Sequence, residues 1–270
     1  MDSSPGQTIR PEAVAGTFYP GEGESLMQTV RDLIDAAETG AAPQAPKALI
    51  VPHAGFVYSG PVAASAYASL AALKGRVRRV VLIGPSHFKA FFGIAAPTVQ
   101  AFATPAGAVN LDRAAIDALV ADGLARPDDA AHREEHALEV QLPFLMAVLG
   151  DFALVPLVVG DASSETVAAV LEALWDGPET LIVASTDLSH YHASEVAEEL
   201  DGATARAIEA LDGGGLTGND ACGYQAVAGL LLAARRHGLS VTRLDLRNSG
   251  DTAGGGGPVV GYGAWALAAG

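Results

Sequence analysis

ALIVPH (residues 48–53), VVLIGPSH (residues 80–87) and LIVASTDLSH (residues 181–190) share one pattern: an unbroken apolar run, a few small or turn-forming residues, then a histidine. An apolar run without alternation predicts a strand buried on both faces, as in sheets covered by helices above and below. Strands are expected at 48–51, 80–83, 152–159, 181–184, 241–246 and 259–267. Helical periodicity fills the intervals at 25–37, 61–73, 113–120, 134–149, 165–175, 195–211 and 224–237. This alternation predicts an α/β fold: a three-layer α/β/α sandwich around a mixed central sheet.

Nothing divides the chain, so one domain over 1–270 is expected, with 1–10 as an N-terminal arm. GAAPQAP (residues 40–46) reads as a loop leading to the first core strand. GGGGPVVGYG (residues 254–263) lacks the Gly-Lys-Ser/Thr ending that cradles nucleotide phosphates and reads as a loop entering a last strand.

Composition narrows the function classes. Sixteen Lys and Arg stand against 31 Asp and Glu, a net charge of −15 over 270 residues, with no basic cluster to release counterions from a phosphate backbone. Nucleic acid is therefore not an expected ligand. The single cysteine excludes an intrachain disulfide and points to the reducing cytoplasm. MDSSPGQTIR has neither the basic nor the apolar region of a signal peptide. The apolar stretches 226–234 and 259–269 fall short of the ~20 residues a bilayer crossing needs, so no membrane association is expected.

The chemistry gathers at strand ends. His53, His87 and His190 each follow a core strand, and the ligand crevice of an open α/β sheet lies outside the carboxyl ends of its strands. Neutral imidazoles converging there make a transition-metal site, although each alone also fits a structural histidine. Cys222, in NDACGYQAV, stands where Asn219 or Asp220 would cap a helix, and the helix dipole would favour its thiolate. Its other reading is a small buried apolar residue. Asp187 either orients an imidazole, serves as a ligand, or is a loop aspartate. His136 shares a helix face with Glu139, as a surface ion pair or as a polar edge turned into the crevice. His132, His192 and His237 read as solvated. HREEH differs in spacing and order from the zinc-protease motif.

Taken together, AGTFYP, PHAGFVYSG, GPSHF, EEHALEVQLPF, STDLSH and ACGYQAV resemble the MEMO family, whose bacterial and archaeal members are called AmmeMemoRadiSam system protein B. The resemblance runs from about residue 16 to the last strand. It implies a LigB-like fold, related to the class III extradiol dioxygenases that use non-haem Fe(II). By position it implies His53, His87 and Cys222 as metal ligands and His190 as the active-site histidine, with Asp187 beside it. Phe18, Tyr58, Ser86 and His136 would line the pocket, Phe18 standing where vertebrate members carry Trp. Those dioxygenases use two His and a carboxylate, so a thiolate third ligand brings Cu or Zn into competition with Fe(II). A metal-dependent oxidoreductase acting on a small molecule is the leading expectation, with His190 as general acid/base. The alternative is a non-catalytic module binding a peptide or protein, with AMMECR1-like and radical-SAM proteins as the partners the resemblance implies. A third reading makes Cys222 a nucleophile with His190 as its base.

Overall fold

The structure is a computed structural model that describes residues 8–37 and 45–270. Most of the expected N-terminal arm (1–10) and of the expected loop (40–46) lies outside the described residues. In chain order the elements are β1 (Ile9–Arg10), α1 (Gly23–Asp35), β2 (Ala48–Val51), α2 (Phe56–Tyr67), β3 (Arg79–Pro85), β4 (Ile94–Ala96), β5 (Ala101–Thr104), β6 (Gly107–Asn110), α3 (Arg113–Ala121), β7 (Arg126–Pro127), α4 (Asp129–His132), α5 (His136–Glu139), α6 (Leu142–Leu149), β8 (Ala153–Val159), α7 (Ser164–Ala173), β9 (Thr180–Ser185), β10 (His190–His192), α8 (Ser194–Glu209), α9 (Tyr224–Arg236), β11 (Leu239–Asn248), α10 (Ser249–Thr252) and β12 (Val259–Ala269). A 3-10 turn, Ala68–Leu73, continues α2.

The large sheet runs β10-β12-β2-β9-β3-β8-β4-β7, with β11 paired to β12, and a small sheet runs β1-β5-β6. The apolar runs of β2, β9, β3 and β8 are mutually parallel and form its buried centre. β12 joins β2 antiparallel and β4 joins β8 antiparallel, so the sheet is mixed. α1, α2 and α6 pack together on the sheet, α7 packs against α9, and α8 packs on β11 and β12. The predicted α/β/α sandwich is the observed fold. Gly254 and Gly255 take φ of +75° and +128° in the loop before β12, conformations that L side chains rarely adopt.

Two expected helices differ. The helix predicted over 134–149 is broken into α5 and α6 because Pro143 has no N–H to offer the Glu139 carbonyl. The helix predicted from Pro61 begins earlier, at Phe56, with Pro61 inside it. With its 3-10 continuation it spans Phe56–Leu73, 18 residues of mean hydropathy 1.3, long and apolar enough by those measures to cross a bilayer. Here 67% of that stretch is buried inside the fold, packed against α1, α6 and the sheet, as a core helix. The short strands β1, β4 to β7 and β10 carry too few residues for a periodicity to register.

Strand order decides where the chemistry meets. β2, β9 and β3 are parallel neighbours, so His53, Asp187 and His87 leave one edge of the sheet side by side. His190 comes five residues after the end of β9, where it opens β10 and pairs with Val260 of β12.

Candidate metal centre

Three imidazoles, those of His53, His87 and His136, each offer a nitrogen, and these atoms lie within 4.8 Å of one another. The His87 and His136 rings are stacked at 4.6 Å, and His53 meets them edge-on at 5.1 and 5.5 Å. Hydrogen bonds fix the tautomers of two. The Ser185 hydroxyl donates its one proton to the Ala137 carbonyl (2.7 Å), so it accepts from Gln141 Nε2 and from His53 Nδ1, each at 2.9 Å. His53 is therefore protonated on Nδ1 and keeps a lone pair on Nε2. Gln141 is held in turn by Tyr67 and the Pro52 carbonyl.

Glu135 does the same for His87. Its Oε1 accepts His87 Nδ1–H at 2.8 Å and its Oε2 accepts the His87 backbone N–H at 2.7 Å; against burial, this bond and the carboxylate charge raise the His87 pKa, and when the ring is neutral Nε2 is the lone-pair nitrogen. Burial alone would raise the Glu135 pKa. The bond to His87, its charge and two backbone N–H donors outweigh burial and hold it at about 2. His136 Nδ1 is buried without a hydrogen-bond partner, 3.7 Å from Glu135 Oε1. Burial first, then the neighbouring imidazoles, hold His53 down to about 3 and His136 to about 4, so both are neutral at pH 7. Two aimed lone pairs, an orphaned imidazole nitrogen and a carboxylate behind His87 fit a transition metal.

Cys222 Sγ lies 3.2 Å from His53 Nε2, outside the three-nitrogen group, and accepts the Asp187 backbone N–H at 3.3 Å. Since His53 Nε2 holds a lone pair, the thiol is the donor in that contact. The thiolate expectation is corrected: burial, then the charge of Asp187, push the Cys222 thiol up to about 12. The expected side-chain cap is corrected as well. Gly223 occupies the cap position of α9, and Asp220 instead accepts from the Thr217 amide and hydroxyl.

A cavity of about 690 Å³ opens over the imidazoles. Phe18, Tyr58, His136, Asp187 and His190 all line it, together with Tyr191 and Tyr262, which the sequence did not single out. Ser86 does not line it; with Cys222 it borders a second cavity of about 310 Å³, where its hydroxyl donates to the Lys89 carbonyl. Asp187 is buried and accepts the His53 backbone N–H at 2.7 Å, which steers the loop carrying His53. His190 Nδ1 donates to the Leu188 carbonyl at 2.8 Å, leaving Nε2 as an acceptor.

Glu139 is neither a surface ion pair nor a crevice group. Fully buried, it accepts from Arg10 Nη1 (2.6 Å), the Ala13 and Val14 amides (2.8 and 3.0 Å) and the Tyr19 hydroxyl (2.5 Å). It thereby holds the segment that lays Phe18 against His136 at 4.9 Å. His132, expected in solvent, is 2% exposed and donates Nε2–H to the Ala95 carbonyl. The supporting residues Glu135, Ser185 and Gln141 all fall inside the motif segments; their apolar neighbours gave no sign that they turn inward.

Fold and site first define a class: an α/β/α protein with an imidazole cluster, suited to a transition metal, at the carboxyl edge of its parallel strands. The sequence model of the Memo-like protein family matches residues 10–266. A MEMO1 family protein of Methanopyrus kandleri is 36% identical, covering 94% of this chain and 97% of its own. Another, of Thermotoga neapolitana, is also 36% identical, covering 94% and 98%. The chain belongs to the MEMO family. The crystal structure of the uncharacterized protein JW3007 from Escherichia coli K12 covers 80% of this chain and 98% of its own with a TM-score of 0.51, and at 16% identity it shows the fold alone.

Proposed function

We propose that this MEMO-family chain is a mononuclear non-haem metal protein of the reducing cytoplasm, with Fe(II) as its metal and Cu or Zn as competitors, acting in redox or dioxygenase-like chemistry on a small molecule. The observation that carries the reading is the convergence of three imidazole nitrogens within 4.8 Å beneath a cavity. His53 and His87 would hold the metal through Nε2, with His136 as the third ligand. Cys222, beside His53, is the alternative third ligand once its proton is lost. A metal bound there supplies Lewis acidity and a path for electrons to O₂.

The remaining roles belong to the chain's own groups. His190 takes or returns a proton at Nε2 on the cavity side. Phe18, which packs on His136, and Tyr58 and Tyr262 line the same cavity and would offer aromatic contacts to the ligand. No Lys or Arg lines this cavity among the described residues, so its polar contacts to a ligand come from the imidazoles, Asp187 and the hydroxyls of Thr17, Tyr58, Tyr191, Ser249 and Tyr262.

Metal quantification after anaerobic purification tests the reading. About one metal per chain is expected in the wild type, and an at least roughly tenfold loss in the His53→Ala/His87→Ala double variant, as removal of ligands demands. Stoichiometric metal in the double variant overturns it. Comparing His136→Ala with Cys222→Ala identifies the third ligand.

A second reading, a docking module, draws on the apolar residues exposed around the cavity: Val57 (65%), Tyr58 (46%), Phe88 (59%) and Tyr191 (77%). With a net charge of −15, a basic partner surface is favoured, and AMMECR1-like and radical-SAM proteins are the candidates. Co-elution with a purified AMMECR1-like protein, lost in a Val57→Ser/Tyr191→Ser variant, supports it; separate elution of the wild type overturns it for that partner.

A further inference from the structure

Asp201, on α8, is 3% exposed and touches none of the imidazoles of the cluster. Its Oδ1 accepts the Ser189 backbone N–H at 2.9 Å. The carbonyl of that same peptide unit, belonging to Leu188, accepts His190 Nδ1–H at 2.8 Å. In a planar trans peptide the N–H and C=O point in opposite directions. One rigid unit therefore carries a carboxylate at one end and the imidazole at the other.

The unit is clamped from the side as well. Leu188 N–H donates to the Gly261 carbonyl and Gly261 N–H donates to the Ser189 carbonyl, each at 2.8 Å. Residue 261 must be glycine for the carboxylate to fit, because a Cβ there would lie 1.9 Å from Asp201 Oδ2.

We propose that Asp201 is the positioning residue of His190, acting through the Leu188–Ser189 peptide. Its charge polarises that peptide, which makes the Leu188 carbonyl a stronger acceptor and keeps the imidazole proton on Nδ1. Nε2 is thereby held as the lone-pair nitrogen that a proton acceptor at the cavity requires. The proposal rests on the reading of His190 as the cavity's acid/base group, but its test does not depend on metal.

The test is long-range ¹H–¹⁵N NMR of the His190 ring in metal-free protein, at a pH where the imidazole is neutral. Wild type is expected to show the Nδ1–H tautomer. Asp201→Asn keeps an oxygen for the Ser189 amide, exchanges the other carboxylate oxygen for NH₂ and removes the charge, so the Nε2–H share should rise several-fold with the fold intact. Gly261→Ala displaces the carboxylate and should move the tautomer in the same direction, and it decides the matter if Asp201→Asn does not fold. An unchanged His190 tautomer in either folded variant overturns the proposal. A purely structural Asp201 would lower thermal stability and leave the tautomer as it is. Metal content of the His53→Ala/His87→Ala variant is a separate readout, so failure of the metal reading and failure of this one are distinguishable.

Discussion

The two edges of the same parallel strands handle polar groups in opposite ways. At the amino edge, Lys47 donates to the carbonyls of Trp175, Asp176, Gly177 and Thr180, and Arg79 pairs with Asp112 and Asp176. At the carboxyl edge, β2 and β3 run on to His53 and His87, whose bonds at Nδ1 turn Nε2 toward the cluster, that of His53 meeting only the Cys222 thiol. The amino edge saturates its cations and staples the strands to the loop after α7. The carboxyl edge keeps its lone pairs for a ligand, and the difference separates what stabilises the fold from what is available for chemistry. Glu139 is, like Glu135, a saturated carboxylate near this edge, and it holds the segment that lays Phe18 against His136.

Three substitutions test this contrast. Glu139→Gln has the largest expected effect, because it leaves the buried Arg10 guanidinium without its counter-charge, at a cost of about 3–5 kcal/mol in urea unfolding. A loss under about 1 kcal/mol, the range of exposed pairs, would mean the bond network around Glu139 is dispensable.

His132 comes next. Burial holds its pKa down to about 4, below the 6.5 of an unfolded histidine. Its contribution is complete above pH 6.5 and is lost as pH falls toward 4, because the unfolded chain takes up a proton that the fold refuses. The loss amounts to about 3 kcal/mol by pH 4. His132→Gln should flatten the decline in stability between pH 7 and pH 4.5 by part of that amount. An identical slope in variant and wild type would place His132 in water after all.

Lys47→Met is the mildest, at about 2 kcal/mol for charge-assisted bonds to carbonyls. Its metal content should equal that of the wild type. Metal loss in this variant would break the separation of the two edges.

Much of the fold was legible because its signals are local. The runs at 48–51, 80–83 and 181–184 are apolar without alternation, and they became the buried strands β2, β3 and β9. The motif segments likewise marked the family over nearly the whole chain. His132 was misread because it follows no core strand and has no motif context, whereas the bond to the Ala95 carbonyl and the packing on Phe102 come from distant strands. For Cys222 the sequence left a thiolate and a buried thiol both open, because a position near a helix start suggests a dipole effect; burial beside Asp187 acts in the opposite direction and prevails.

By itself, the sequence determined the α/β alternation, the histidines that follow the strands and the segments that mark the family. Each of these is a property of contiguous residues, written in periodicity and spacing. Only the tertiary structure decided that His136 joins His53 and His87, that Ser185 and Glu135 set their tautomers, and that Asp201 reaches His190 through a peptide. Those outcomes depend on strand order and on which elements pack together, and contacts between residues far apart in the chain leave no local pattern to read.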